Sequence, residues 1–186
     1  MQCQKGEIMA KVLNYGMVGG GPDAFIGDAH RRAISLDESA RLVAGVFSRN
    51  AEKSKKMGEV LHIEEERCYK DYETMALEEA KREDGIDFVV VVTPNASHYE
   101  ICKAFLNVGI HVVCDKPVTT TYEKAVELQK LAEEKSLLFM VTYTYMGHVT
   151  AKYARDLIAS GAIGDVRAVM AEYPQGWLAF EDNVGG

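Results

Sequence analysis

The stretch HVVCDKPVTT (111–120) brings Lys116 to the end of a short apolar run and follows it at once with Pro117. If that run is a buried strand, its C-terminal end lies on the edge of an α/β sheet where ligands bind. A cation there serves chemistry better than packing, because an ammonium can hydrogen-bond a substrate oxygen and stabilise charge that develops on it. Proline fixes the turn, with a cis bond among the geometries open to it, and so aims the lysine. A second apolar run, in VVVVTPNASHYE (89–100), ends at Thr93-Pro94-Asn95, again a strand tip. His98 opens the helix beyond it, where it reads either as a ligand contact or as a polar first-turn residue.

The stretch YGMVGGGPDAFIGDAH (15–30) resembles a phosphate-binding turn. Glycines after a first strand let the backbone approach a pyrophosphate, and the following helix N-terminus favours its charge. Gly19 and Gly21 give the G-x-G pair. The third position is either Ala24, at the regular spacing, or Gly27, about three residues later. The next run ends at Val46-Phe47-Ser48-Arg49-Asn50, with Lys53 a helical turn on. No carboxylate stands there to take a ribose 2′-hydroxyl. Ser48 and Arg49 suit a 2′-phosphate instead, so the residues lean to NADP over NAD. Tyr143, Tyr145 and His148 cluster after the run LLFMVTY (137–143) and are candidates for the substrate side, against the alternative of packing at a domain junction.

These residues need a scaffold, and the hydrophobic pattern supplies one. Val-rich runs at 11–18, 41–48, 86–93, 111–114 and 137–143 alternate with helical patterns around 27–36, 50–60, 73–83, 97–108, 121–135 and 148–160. Uniformly apolar strands are buried on both faces, and β-α-β alternation predicts an α/β, doubly wound parallel sheet. Ser97 with Glu100 reads as a capping box, and Gly109 and Gly161 as C-terminal glycines. After Gly164, DVRAVMAEYP (165–174) alternates like a strand of a different sheet. The expected division is a dinucleotide-binding domain over 10–145, then a linking helix and first strand of an incomplete substrate domain over 146–186.

The chain's 186 residues carry a net charge of −7, which argues against nucleic acid or an anionic membrane as the main partner. The four cysteines, Cys3, Cys68, Cys102 and Cys114, include no C-x-x-C pair and read as free thiols. No residue spacing supports a metal site. Neither a signal peptide nor a membrane-spanning run is legible, so a cytoplasmic location is the expectation.

Taken together, GMVGGG, TPNASH, CDKP and LLFMVTYTY resemble the glucose–fructose oxidoreductase and inositol dehydrogenase family (Gfo/Idh/MocA), in the right order and over nearly the whole chain. The late stretch EYPQGWLA resembles the first substrate-domain strand of some members. The resemblance implies an NAD(P)-dependent oxidoreductase, a Rossmann cofactor domain, a sugar, cyclitol or related polyol as substrate, and a homo-oligomer for the full-length protein. The family's E-K-P matches Asp115-Lys116-Pro117, with aspartate in place of glutamate. The family role of its lysine, contacting the nicotinamide ribose and the reacting hydroxyl, carries over to Lys116. Thr93, Pro94, Asn95 and His98 match a cofactor-contacting T-P-N-x-x-H stretch. The family's glycine turn ends G-x-x-H, which Gly27-Asp28-Ala29-His30 fits. Gly27 is then the third glycine, Pro22-Asp23-Ala24 an insertion, and Asp23 awkwardly near the pyrophosphate. The family's catalytic histidine and aspartate find no match before residue 186, so the resemblance implies that the 186-residue chain alone is inactive.

Two other classes fit parts of the pattern. An S-adenosylmethionine-dependent methyltransferase shares the glycine turn, but usually wants an acid where Ser48-Arg49 stands and has no use for D-K-P. A non-catalytic dinucleotide-binding protein, or a truncated relic, would keep the turn without turnover.

Overall fold

The computed structural model describes residues 11–22 and 24–176. Five strands, β1 (Leu13–Gly19), β2 (Ala40–Val46), β3 (Phe88–Val92), β4 (His111–Cys114) and β5 (Phe139–Val141), form one sheet in the order β2-β1-β3-β4-β5. Every pairing is parallel. Six helices intervene or follow: α1 (Phe25–Ser35), α2 (Ala51–Val60), α3 (Tyr72–Glu79), α4 (His98–Asn107), α5 (Tyr122–Glu134) and α6 (Val149–Ala159). The doubly wound parallel sheet expected from the valine runs is the one observed.

The central strand explains the layering. Val89 and Val91 pack with Met75, Phe105, Leu106 and Leu128 on one face of the sheet. Val90 and Val92 pack with Tyr15, Met17, Phe47 and Met57 on the other. Val89, Val90 and Val91 have no exposed surface, so the run is apolar at every position and not at alternate ones. Each such side chain contributes about 1.5–3 kcal/mol on burial.

The chain leaves β1 for β2 on one side and returns to β3 on the other. The connections therefore part beyond the C-terminal ends of β1 and β3, and a crevice opens where the winding reverses. The link between α2 and α3 walls one side of that crevice. It is anchored by a buried ion pair between the Arg67 guanidinium and the Glu79 carboxylate, whose Oε1 also accepts from the Tyr69 hydroxyl at 2.8 Å.

The described residues fall into two compact units, one ending at Tyr143 and one beginning at Thr144. In the second unit α6 is closed by Ser160 and then Gly161, which takes φ +71° as a C-terminal glycine does. The strand expected at 165–174 is not formed: residues 165–176 carry no regular structure, and no strand among the described residues pairs with them. An alternating sequence becomes a strand only when a neighbour accepts its hydrogen bonds. Asp23 and the last three residues of EYPQGWLA, 177–179, lie outside the described residues. Among the described residues no helix is long and apolar enough to cross a membrane.

Candidate functional site

A cleft of about 660 Å³ opens at the C-terminal ends of β1, β2 and β3. Its floor is the glycine turn, one wall is Phe47, Ser48, Arg49 and Lys53, and the opposite wall is Val92 to Pro94 with Ala96, Ser97 and Ile101. Lys70, Asp71, Tyr72 and Glu73 complete the lining. These last four were not legible as site residues, because only the tertiary course of the α2–α3 link brings them to the cleft.

The turn has no room for side chains. Gly20 has φ +71°, in the left-handed region that favours glycine. A Cβ on Gly27, in the first turn of α1, would stand 2.3 Å from the Gly20 Cα, backbone against backbone. Gly27 is thus the glycine that lets the helix approach the turn, while Ala24 only precedes the helix. At Gly21 a Cβ would meet the Phe47 carbonyl oxygen at 2.6 Å. Arg31, on the next turn of α1, donates to the Gly20 carbonyl at 3.0 Å and braces the loop from within. Neither Gly20 nor Arg31 was singled out in the sequence; a glycine triplet followed by a helical arginine was the only trace.

Helix capping distinguishes α1 from α2, α3 and α5. Asn50, Asp71 and Thr121 cap α2, α3 and α5 through their side chains, whereas Ala24 offers α1 no acceptor. The first N–H groups of α1 thus retain the donors and the dipole that favour an anion beside the glycine turn. A backbone that approaches closely, a helix N-terminus without a side-chain cap and cationic Arg49 and Lys70 on the rim fit a dinucleotide pyrophosphate and its ribose. Ser48 Oγ accepts from the Asn50 N–H at 3.1 Å, which shapes the end of β2.

The opposite wall corrects one expectation. Ser97 does not cap α4: it takes a helical backbone conformation, and its hydroxyl lies 2.8 Å from Thr93 Oγ1 and 2.7 Å from the Pro94 carbonyl. His98 does not line the cleft. Its side chain is fully buried, with Nδ1 2.9 Å from the Pro117 carbonyl oxygen and Nε2 2.7 Å from that of Thr93. Burial alone would lower its pKa, but Cys114 and the two carbonyls outweigh it, and the imidazole is pushed up to about 9. Thr93 and Pro94 line the cleft, and Asn95 is exposed in the short 3-10 turn that follows.

Lys116 and Pro117 are exposed in the turn after β4, and the peptide between them is cis. Asp115 is held from two sides. Its Oδ1 accepts from the Thr142 hydroxyl at 3.0 Å beyond β5 and lies 3.8 Å from His30 Nε2 on α1. Burial lowers the His30 pKa, and Asp115 opposes that shift. Tyr143 is exposed just past β5. Tyr145 and His148 belong to the second unit, where their rings sit 5.5 Å apart and the Tyr145 hydroxyl pairs with that of Tyr173. Among the described residues no group of acidic, histidine or cysteine side chains could hold a metal ion.

An α/β sheet with a glycine cradle at its switch point defines a nucleotide-binding domain. The model of the Gfo/Idh/MocA oxidoreductase family, NAD-binding Rossmann fold, matches residues 13–143, and the chain belongs to that family. It is 43% identical over 176 residues to the uncharacterised oxidoreductase YfiI of Bacillus subtilis, covering 94% of this chain and 45% of that protein. It is similar to the crystal structure of an inositol dehydrogenase homologue from Azotobacter vinelandii in complex with NADH and myo-inositol. The TM-score is 0.82 at 42% identity, over 85% of this chain and 42% of that one. Over 97 residues it is 33% identical to the NADP(+)-dependent scyllo-inositol 2-dehydrogenase IolW of Bacillus subtilis, covering 52% of this chain and 27% of the relative. The chain spans less than half the length of each of these proteins.

Proposed function

We propose that the chain is the cofactor-binding part of an oxidoreductase that transfers a hydride between a nicotinamide and a secondary alcohol carbon of a sugar, cyclitol or related polyol. The observation that carries the reading is the pairing of a glycine cradle after β1 with an exposed lysine after β4, two strands across the same sheet and at the same edge. The nicotinamide supplies or accepts the hydride when bound. The chain's own residues do the rest. The turn around Gly19 to Gly21 and the N-terminus of α1 hold the pyrophosphate. Thr93 and Pro94 line the wall beside it. The Lys116 ammonium donates a hydrogen bond to the substrate oxygen and stabilises the negative charge developing there. Tyr143, Tyr145 and His148 are substrate-side groups in this reading. The polyol class finds support in the inositol substrates named for two relatives.

The cofactor is NADP in preference to NAD. Ser48, Arg49 and Lys53 line the cleft at the end of β2, where a carboxylate would select NAD, and Lys70 faces the same cleft. Titration with NADPH and with NADH, followed by cofactor fluorescence, tests both parts. We expect tighter binding of NADPH, with Arg49→Ala removing about tenfold of that affinity. Equal affinity for the two, or a preference that survives Arg49→Ala, overturns the NADP assignment. Failure to bind either cofactor overturns the reading itself.

A further inference from the structure

His98 presents a problem of proton count. A neutral imidazole carries one N–H, yet both ring nitrogens face carbonyl oxygens, at 2.9 Å and 2.7 Å, and a carbonyl cannot donate. One nitrogen of a neutral ring would direct its lone pair at an oxygen lone pair inside a fully buried pocket. Only the doubly protonated ring satisfies both contacts.

We propose that His98 is a charged clamp: an imidazolium that donates one hydrogen bond to the Thr93 carbonyl at the tip of β3 and the other to the Pro117 carbonyl in the lysine turn, and so positions Lys116. The clamp spans the two strand tips that carry Thr93 and Lys116. One accepting carbonyl is that of Thr93 itself and the other that of Pro117, next to Lys116, so the ring sets the spacing between wall and lysine without lining the cleft. Charge-assisted hydrogen bonds are about twice as strong as neutral ones, which suits a brace between two loops.

The titratable groups around the ring are consistent with a buried cation. Cys114 faces it from β4, and contact with Cys102 and with His98 draws that thiol below its ordinary value. Cys102 lies one helical turn along α4 from His98, and its contact with Cys114, together with burial, pushes its own thiol up. Asp115, next in the turn, is occupied by Thr142 and His30. The positive charge thus rests against carbonyl dipoles and a polarisable, easily ionised sulfur.

The role given to Lys116 rests on the function proposed above, whereas the protonation state of His98 does not, and the test separates them. In the 186-residue chain labelled with 15N-histidine, NMR reports whether the two ring nitrogens are alike, as in imidazolium, or unlike, as in a neutral tautomer. We expect His98 to keep the imidazolium pattern up to about pH 8, well above an ordinary histidine. A neutral pattern at about pH 7 overturns the clamp. Binding of NADPH and of 2′-phospho-ADP-ribose, which lacks the nicotinamide, then reads the positioning in His98→Gln, whose amide presents its N–H donors at one end only and so cannot donate to both carbonyls. We expect NADPH affinity to fall about tenfold and 2′-phospho-ADP-ribose affinity to stay within about twofold. Equal losses for both ligands, or none, overturn the positioning of Lys116. Failure of the unaltered chain to bind either ligand sinks the cofactor reading and leaves the NMR result to decide the clamp.

Discussion

A Cβ placed on Gly27 would stand 2.3 Å from the Cα of Gly20, so the first turn of α1 and the phosphate turn meet with no side chain between them. Neither backbone can yield without moving β1 or α1. Gly27→Ala is therefore expected to cost about 2 kcal/mol of folding stability and at least about tenfold in NADPH affinity. Ala24→Gly, at the position that matches the regular glycine spacing, should change stability by only a few tenths of a kcal/mol, since glycine is accepted at a helix N-cap. Urea denaturation and cofactor titration of both variants check the contrast.

The two histidines near the lysine turn respond to pH with opposite signs. The His98 pKa is raised from 6.5 to about 9, so its contribution to stability is fully present below 6.5 and is lost as pH rises through about 9. The His30 pKa is lowered from 6.5, so its contribution is present above that value and is lost as pH falls through the folded value. Stability measured by urea denaturation from about pH 5 to about pH 10 should decline at both ends. His98→Gln should abolish most of the alkaline decline, and His30→Gln should flatten the acid one.

Arg67 and Glu79 form an ion pair with almost no exposed surface, and they tether the segment whose next residues, Lys70 to Glu73, line the cleft. Removing Arg67 leaves the Glu79 carboxylate buried with the Tyr69 hydroxyl but without its counter-charge. Arg67→Ala should destabilise the fold by about 3–5 kcal/mol, seen as a lower denaturation midpoint. Replacing both with a methionine–leucine pair should recover much of that loss, because the desolvation cost of the charges disappears with them.

Lys103 and Glu127 make the contrasting case. Their contact at 2.9 Å joins α4 to α5 at the surface, with the Tyr99 hydroxyl donating to the same carboxylate at 2.6 Å. Solvent screens such a pair, so Glu127→Gln should cost no more than about 1 kcal/mol, and less in high salt. A loss as large as that of Arg67→Ala would contradict this account of the surface.

The sheet was legible because its strands are buried on both faces and valine fills both, as Val89 to Val92 show. Gly109 and Gly161 were legible because helices end at residues free to take positive φ. Ser97 misled because a serine before a helix caps only when its own backbone is extended, and here a 3-10 turn makes it helical. The orientation of His98 was not legible for a related reason: residue type and spacing place it beside the cleft, but the direction of its ring depends on where the lysine turn comes to rest. Cys102 and Cys114, read only as free thiols, meet around His98 because α4 packs across β4. Lys70 to Glu73 reach the cleft through Arg67, a relation carried by no local pattern.

Arg31 gives the glycine turn a consequence of a different kind. Its guanidinium is occupied by the Gly20 carbonyl within the loop and by the Asp28 carboxylate at 3.9 Å on α1, although it is a cation near a site suited to phosphate. The turn is thus rigid before any anion arrives. Little conformational entropy remains to be surrendered on binding, and the affinity for a pyrophosphate is set chiefly by fixed N–H dipoles and not by a mobile charge closing over it.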